Sequence, residues 1–242
     1  MTQQAPQQLT GITTIQATLE LVSGLRIGAG DSEMRIGGVD NTVIRHPHTQ
    51  APYIPGSSLK GKMRSLLEWR SGAVKEAPLG YPDLQNASGA VQAEVKHILQ
   101  LFGISGDAKL GKEMQELGPS RLSFWDCNLQ AEWEKEIRDN NQMLTEVKSE
   151  NRINRISGVA EHQRQTERVP AGARFDFRLS VKRLAGDGDA LLTTVLQGLK
   201  LLELDSLGGS GSRGYGKVKF VGLTIDGQDA QARFDAVQPF AR

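Results

Sequence analysis

The sequence predicts an α+β fold whose main elements follow the order strand–helix–strand–strand–helix–strand. Two patterns carry this prediction. Apolar and polar residues alternate over 173–182, which is typical of a strand with one buried face. Leucines recur at helical spacing over 190–204 and predict an amphipathic helix. With 242 residues, 38% of them hydrophobic, the chain suits a single domain over 1–242 with sizeable insertions.

The first half of the core is predicted over residues 11–72. Alternation over 12–22 predicts a half-buried strand, and an apolar stripe at helical spacing follows from residue 57. Ser57 or Ser58 is the predicted N-cap of this helix, and Gly72 lies just past its end.

The middle of the chain is predicted to be less regular. Residues 78–89 are typical of a loop, 91–102 of a helix and 103–119 of an irregular insertion. Imperfect alternation over 121–129 predicts a strand, and the charged segment 131–141 predicts a short solvated helix.

The second half of the core is predicted over residues 173–226. It holds the strand and helix described first, a glycine-rich loop at 207–216 and a last strand at 217–225. The full succession is that of the ferredoxin-like βαββαβ sheet.

Composition narrows the class of protein. No apolar run approaches the ~20 residues of a membrane span, and residues 1–10 lack an apolar signal sequence, so a cytoplasmic protein without membrane contact is predicted. The single cysteine, Cys127, excludes an internal disulfide and a cysteine-based zinc site. Because the net charge is only +1, nucleic-acid binding would depend on local clusters of cations.

The glycine-rich loop is the most informative motif. Five of the nine residues in 208–216 are glycine, and Arg213 carries the only charge. Amides freed by glycine beside a guanidinium suit a phosphodiester backbone. A flexible linker is the alternative, although linkers seldom place arginine and tyrosine between glycines. The predicted contact residues are Gly209, Gly211, Ser212, Arg213 and Gly214.

A basic cluster opens the first predicted helix. The spacing of Gly56, Gly61 and Lys62 is that of a phosphate-binding P-loop, but Met63 stands where a hydroxyl should hold Mg²⁺, so nucleotide hydrolysis is rejected. Cations are unfavourable at a helix N-terminus unless a polyanion binds there. A solvated basic face is the alternative. The predicted phosphate contacts are Ser57, Ser58, Lys60, Lys62 and Arg64.

A second basic cluster, rich in arginine, predicts a protruding hairpin over 143–170. Arginine suits phosphate contacts and base stacking, and the interleaved apolar residues predict an apolar tip. The predicted contacts here are Arg155, Arg164 and Arg168. An ordinary charged surface hairpin remains the alternative.

Asp31 is the candidate catalytic residue. It lies in a glycine-flanked loop, residues 28–40, where an exposed carboxylate can bind Mg²⁺ through water or position a reacting hydroxyl. An aspartate in a loop is more often a turn former or a helix cap, and that alternative stays open.

Together these motifs resemble the RAMP superfamily, and most closely the repeated backbone subunit of type III CRISPR effector complexes of the Csm (type III-A) kind. The matching segments follow in the family's order, at 28–31, 36–40, 53–64, 154–160, 167–172 and 208–216. Residues 103–119 match no motif of the family.

The resemblance implies an RRM-like core with a thumb hairpin, centred on 151–167. It implies copies that stack into a helical filament along a guide crRNA, together with other type III subunits. The loop aspartate, Asp31 here, would cleave complementary target RNA at regular intervals with Mg²⁺ or another divalent metal, bound directly or through water. The segments 57–64 and 208–216 would hold the guide backbone.

Two other functions remain open at this point. The first is a non-catalytic structural subunit that binds guide RNA and in which Asp31 only shapes its loop. The second is a guide-processing endoribonuclease. Such enzymes depend on histidine or tyrosine acid–base chemistry, and none of the four histidines lies in a glycine-rich loop.

Overall fold

A five-stranded antiparallel sheet forms the centre of the structure, a computed structural model that describes residues 8–30, 42–104 and 116–241. In chain order the strands are β1 (Leu9–Leu21), β2 (Tyr53–Ile54), β3 (Leu122–Phe124), β4 (Cys127–Asn128), β5 (Glu146–Ile153), β6 (Ala160–Arg168), β7 (Arg174–Leu184), β8 (Val218–Ile225) and β9 (Gln228–Asp229). The helices are α1 (Gly56–Ser71), α2 (Tyr81–Asn86), α3 (Gly89–Phe102), α4 (Ala131–Asp139), α5 (Ala190–Leu204) and α6 (Gln231–Asp235).

The sheet order is β3–β7–β1–β8–β9. Its four main strands and the helices α1 and α5 follow one another along the chain as β1, α1, β3, β7, α5 and β8, which is the predicted βαββαβ succession, and α2 and α3 are inserted between α1 and β3. The α+β class is therefore confirmed. β1 pairs with β7 from Leu9↔Leu184 to Glu20↔Arg174, and this long ladder forms the centre of the sheet.

One face of the sheet is buried beneath helices. Ile15, Leu19 and Leu21 of β1 point into the core, while the residues between them are partly or fully exposed. Helices α1, α3 and α5 pack against one another, and α5 also packs on β8. Gly198 of α5 makes this possible, because a Cβ there would lie 2.5 Å from the Met63 side chain of α1. Each large apolar side chain buried in this way contributes about 1.5–3 kcal/mol.

Helix α1 begins before either serine that the sequence suggests as its N-cap. Pro55 occupies the N-cap position, and the Gly56 amide donates a hydrogen bond to the Asp126 carboxylate at 2.7 Å. A carboxylate from elsewhere in the chain thus replaces the expected serine hydroxyl. At the other end Gly72 adopts φ 77°, which confirms it as the residue that ends the helix.

The middle of the chain differs from its prediction in two ways. The predicted loop at 78–89 contains the short helix α2. The single predicted strand at 121–129 is divided, since β3 pairs with β7 whereas β4 pairs with β2. The division depends on which strands lie beside each part in the fold, and a local sequence pattern does not contain that information. Residues 105–115 of the predicted insertion lie outside the described residues.

Strands β5 and β6 form a separate two-stranded hairpin at the position of the predicted thumb. Its turn is closed by Asn154, whose side-chain oxygen accepts hydrogen bonds from the amides of Ile156 and Ser157. Ile156 at the tip is fully exposed, and within the two strands only Thr166, near the base, is buried. None of the helices in the described part of the chain is long and apolar enough to cross a bilayer.

Candidate nucleic-acid interface

Residues 22–30, which follow β1, lie between the base of the hairpin and the glycine-rich loop. On one side Leu25 exchanges two backbone hydrogen bonds with Val169, at 2.9 and 2.8 Å. On the other side the Gly209 amide donates to the Arg26 carbonyl, and the Gly216 amide to the Gly24 carbonyl, both at 2.9 Å. The hairpin base and the glycine-rich loop are far apart in sequence, and both contact residues 22–30, which lead to the predicted catalytic loop.

Asp31 itself lies outside the described residues, as do residues 32–41. The chain on either side of them is fixed. Gly28 pairs with Val43, and the Ile44 amide donates to the Ile27 carbonyl at 2.9 Å. The Val43 amide also donates to the carboxylate of Glu167, in β6, at 2.9 Å. Both ends of the segment that carries Asp31 are thus held at the base of the hairpin.

Two glycines of the glycine-rich loop are required for packing. Gly208 has φ 73°, and a Cβ there would lie 2.3 Å from the Arg26 carbonyl oxygen. Gly216 has φ 70°, and a Cβ there would lie 1.9 Å from the Leu207 carbonyl oxygen. No side chain fits at such distances, so these glycines let the loop cross its neighbours closely. The loop is an ordered element and not a flexible linker.

Some amides of this loop are already used inside the protein, which interrupts the expected row of free amides. The amide of Gly209 donates to Arg26, that of Arg213 to the Ser210 carbonyl at 2.8 Å, and that of Gly214 to the Gly211 carbonyl at 3.3 Å. A 3₁₀ turn over Gly211–Arg213 produces this pattern. What the loop presents to solvent is the exposed side of that turn, with the side chains of Ser212 and Arg213.

Tyr215 fixes the loop to the hairpin. Its ring is fully buried between two cations, with Lys148 Nζ at 4.6 Å and Arg168 Cζ at 4.9 Å from the ring centroid. Arg168 also forms an ion pair with Glu146 at 2.7 Å. Gly24 leaves room for this side chain, because a Cβ there would lie 2.5 Å from Arg168 Cδ. Arg168 thus clamps the hairpin to the loop, and its contact with phosphate stays a prediction.

A basic groove of about 550 Å³ lies between the hairpin and the loop. It is lined by Lys148, Glu150, Asn151, Arg152, His162, Arg164 and Arg213. Four cationic side chains thus face one carboxylate. Arg164 and Arg213 are predicted contacts that the structure brings together here, whereas Arg155 lies apart from them in the exposed turn of the hairpin.

Among the basic residues that line the groove, Lys148, Arg152 and His162 are absent from the predicted set. Alternation along the strand could have identified Lys148 and Arg152. Alternate residues of a strand share one face, and Lys148, Glu150 and Arg152 are alternate residues of β5. For His162 no such signal exists, since the register shifts nearby and its backbone adopts φ 51°. Only the folded hairpin places its ring in the groove.

The start of α1 provides fewer free cations than predicted. Arg64 Nε pairs with Glu68 at 2.8 Å, and its other nitrogens donate to the carbonyls of Gly103 and Leu79 at 3.2 and 2.7 Å. Arg64 therefore has a structural role, and its contact with phosphate stays a prediction. Lys62 pairs with Asp205 at 2.5 Å and joins α1 to the chain just before the glycine-rich loop.

The other three predicted contacts at the start of α1 remain accessible. Ser57 is exposed, and Ser58 and Lys60 are partly so. The Asp126 carboxylate already accepts the first amide of the helix, so an anion bound there would meet one negative charge. Among residues 8–30, 42–104 and 116–241, no three His, Cys, Asp or Glu side chains are grouped closely enough to hold a metal ion.

Comparison with known proteins places this geometry in a family. The model of the RAMP superfamily matches residues 18–219. The "CRISPR system Cms endoribonuclease Csm3" of Mycobacterium tuberculosis is 40% identical in an alignment 223 residues long, and the match covers 86% of each chain. The protein of the same name from Methanothermobacter thermautotrophicus is 38% identical over 216 residues, 84% of this chain and 81% of that one.

Among solved structures, the Csm3–Csm4 subcomplex of the type III-A CRISPR-Cas interference complex contains a similar chain. It superimposes with a TM-score of 0.53 at 28% identity, over 90% of this chain and 80% of that chain. The family match and the curated relatives agree over most of the length. The chain belongs to the RAMP superfamily and, within it, to the Csm3 family of type III CRISPR systems.

Proposed function

We propose that the protein is the subunit of a type III CRISPR interference complex that binds guide RNA and cleaves complementary target RNA at regular intervals. The observation that carries this proposal is that the hairpin and the glycine-rich loop form one basic groove, while both ends of the Asp31 segment are held at the base of the same hairpin. The curated relatives are named as endoribonucleases, and the related solved chain belongs to an interference complex.

The groove suits contact with a nucleic-acid backbone and not with particular bases. Arg152, Arg164 and Arg213 offer guanidinium forks, which bind phosphate oxygens in pairs. Contacts of this kind position a strand without reading its sequence. A subunit that must accept any guide needs this property, because sequence choice is then made by base pairing with the target.

Asp31 is the proposed catalytic group, and Mg²⁺ or another divalent ion is the proposed cofactor. One carboxylate is a small donor set, but it fits Mg²⁺, which keeps several water ligands and shares phosphate oxygens with its substrate. When bound, the ion would stabilise charge that develops at the scissile phosphate. The chain's own contribution is to hold both ends of the Asp31 segment at the base of the hairpin, beside the bound strand.

The proposed partners are guide crRNA, target RNA, further copies of this chain in a helical filament and other type III subunits. A net charge of +1 suits a filament, because copies with a large common charge would repel one another. A head-to-tail contact that does not close into a ring generates such a filament.

Cleavage of a guide-matched RNA by the reconstituted complex tests this function. We expect Asp31→Ala to abolish cleavage in Mg²⁺ while target binding persists. Glu136→Ala is the control, because it removes an exposed carboxylate of α4, outside the predicted loop, and should leave cleavage intact. An unchanged cleavage rate in Asp31→Ala would instead identify a structural subunit, in which another protein cuts the target.

A further inference from the structure

Glu150 lies where the cations of the groove converge. Its carboxylate is 3.0 Å from Arg213 Nε and 3.6 Å from Lys148 Nζ, and Arg164 is its cross-strand partner. It is the one acidic residue among those that line the groove. Its side chain is 20% exposed, whereas that of Arg213 is 58% exposed, so the carboxylate lies on the inner side of this pair.

The surroundings keep Glu150 charged. Burial opposes its ionisation, but the nearby Tyr215 hydroxyl and the cations Arg213 and Lys148 outweigh burial and lower its pKa. A carboxylate and a phosphate present similar pairs of acceptor oxygens to a guanidinium. The Glu150 carboxylate therefore binds the Arg213 guanidinium in the way that a phosphate would.

We propose that Glu150 is a built-in competitor for RNA, which holds Arg213 in the free protein and is displaced by a backbone phosphate when RNA enters the groove. This inference rests on the proposed function, since it takes RNA as the ligand of the groove. The pair also keeps the loop and the hairpin in position before RNA arrives. The Glu150–Arg213 ion pair thereby orders the free chain and lowers its affinity for RNA.

The salt dependence of RNA binding distinguishes a competitor from a simple support. A cation that binds a phosphate normally releases a condensed counterion, and each such contact adds about 0.7 to the slope of log affinity against log salt for single strands. In the native protein Arg213 exchanges Glu150 for the phosphate, and the carboxylate left behind takes up a cation from solution, which offsets the counterion released from the RNA. The native protein should therefore show a shallower slope than a variant in which Arg213 has no carboxylate partner.

The experiment measures binding of the full-length chain to fluorescein-labelled oligouridylate at several salt concentrations. We expect Glu150→Gln to tighten binding roughly five-fold at low salt and to steepen the slope by about 0.7. Glu136→Gln is the charge-matched control, because it removes one carboxylate from the exposed face of α4, and it should change affinity less than about two-fold. In an Arg213→Gln background the gain from Glu150→Gln should vanish.

Each outcome decides between the alternatives. Weaker binding by Glu150→Gln, or a gain that persists in the Arg213→Gln background, would overturn the competitor role while leaving the proposed function intact. Absence of salt-dependent RNA binding in every variant, native protein included, would overturn both. Glu150→Ala serves as the second variant if Gln disturbs the fold, and circular dichroism verifies folding of each protein.

Discussion

The guanidinium of Arg168 lies over the ring of Tyr215, with Cζ 4.9 Å from the ring centroid, and joins the last residue of β6 to the glycine-rich loop. Lys148 of β5 contacts the same ring at 4.6 Å. Both strands of the hairpin are thereby attached to one buried side chain. The orientation of the hairpin is set at its base, although its tip is exposed.

Loss of the Tyr215 ring should release the hairpin from the loop. We expect Tyr215→Ala to lower the free energy of unfolding by about 3–5 kcal/mol, because it removes a large buried ring and two cation–π contacts. Tyr215→Phe keeps the ring and should cost about 1 kcal/mol or less. Urea denaturation measures both values. Equal losses in the two variants would show that the hydroxyl, and not the ring, makes the attachment.

Arg64 and Lys60 should behave in opposite ways, although they lie on the same helix. Arg64→Met leaves the Glu68 carboxylate buried without its partner and should destabilise the protein by about 3–5 kcal/mol. Lys60→Gln should leave stability within about 0.5 kcal/mol. If Lys60 contacts a phosphate, the same change should reduce the salt slope of RNA binding by about 0.7. Denaturation and RNA titration of both variants measure these effects, and a stable Arg64→Met protein with weakened RNA binding would contradict the structural role.

Two glycines of the loop should differ in their tolerance of alanine. Gly216→Ala combines φ 70° with a Cβ 1.9 Å from the Leu207 carbonyl oxygen, so it should cost more than about 2 kcal/mol. Gly214 has φ 80° but no atom within 4 Å of a Cβ, so Gly214→Ala should cost about 1 kcal/mol through backbone strain alone. Thermal unfolding compares the pair, and equal shifts would contradict the close approach at Gly216.

The Cys127 thiol should be inert in the folded protein. Burial raises its pKa to about 12, so almost no thiolate exists at pH 8. Iodoacetamide should therefore modify Cys127 only in denaturant, and a Ser212→Cys variant, whose new thiol is exposed, should take up one label while folded. Because the folded pKa lies above the unfolded value, the thiol's contribution to stability is complete below pH ~9 and falls as the pH rises toward 12. Labelling of the native chain without denaturant would contradict its burial.

Local patterns were enough to predict the elements that make the core. The alternation in β1 and β7 and the leucine spacing in α5 follow from one buried face, and the bounds Ala190–Leu204 agree with the pattern residue for residue. Packing against distant segments decided the rest. β4 leaves the main sheet for β2, and Asp126 replaces a serine at the start of α1.

The candidate site was harder to predict, because the sequence shows which residues are charged but not which of them are paired with other residues of the fold. Arg64, Arg168 and Arg213 look alike in the sequence and each pairs with a glutamate, but of the three only Arg213 lines the groove. The sequence does not distinguish the roles of the glycines either. Gly216 and Gly214 both have positive φ, and only the position of Leu207 separates a packing role from an open one.

We propose that this subunit positions target RNA for cleavage at a repeated site. The most direct measurement maps the cuts that the reconstituted complex makes, in Mg²⁺, on an RNA complementary to its guide. We expect several cuts at one constant spacing, all lost together in Asp31→Ala. A single cut, irregular cuts, or evenly spaced cuts that survive Asp31→Ala would contradict it.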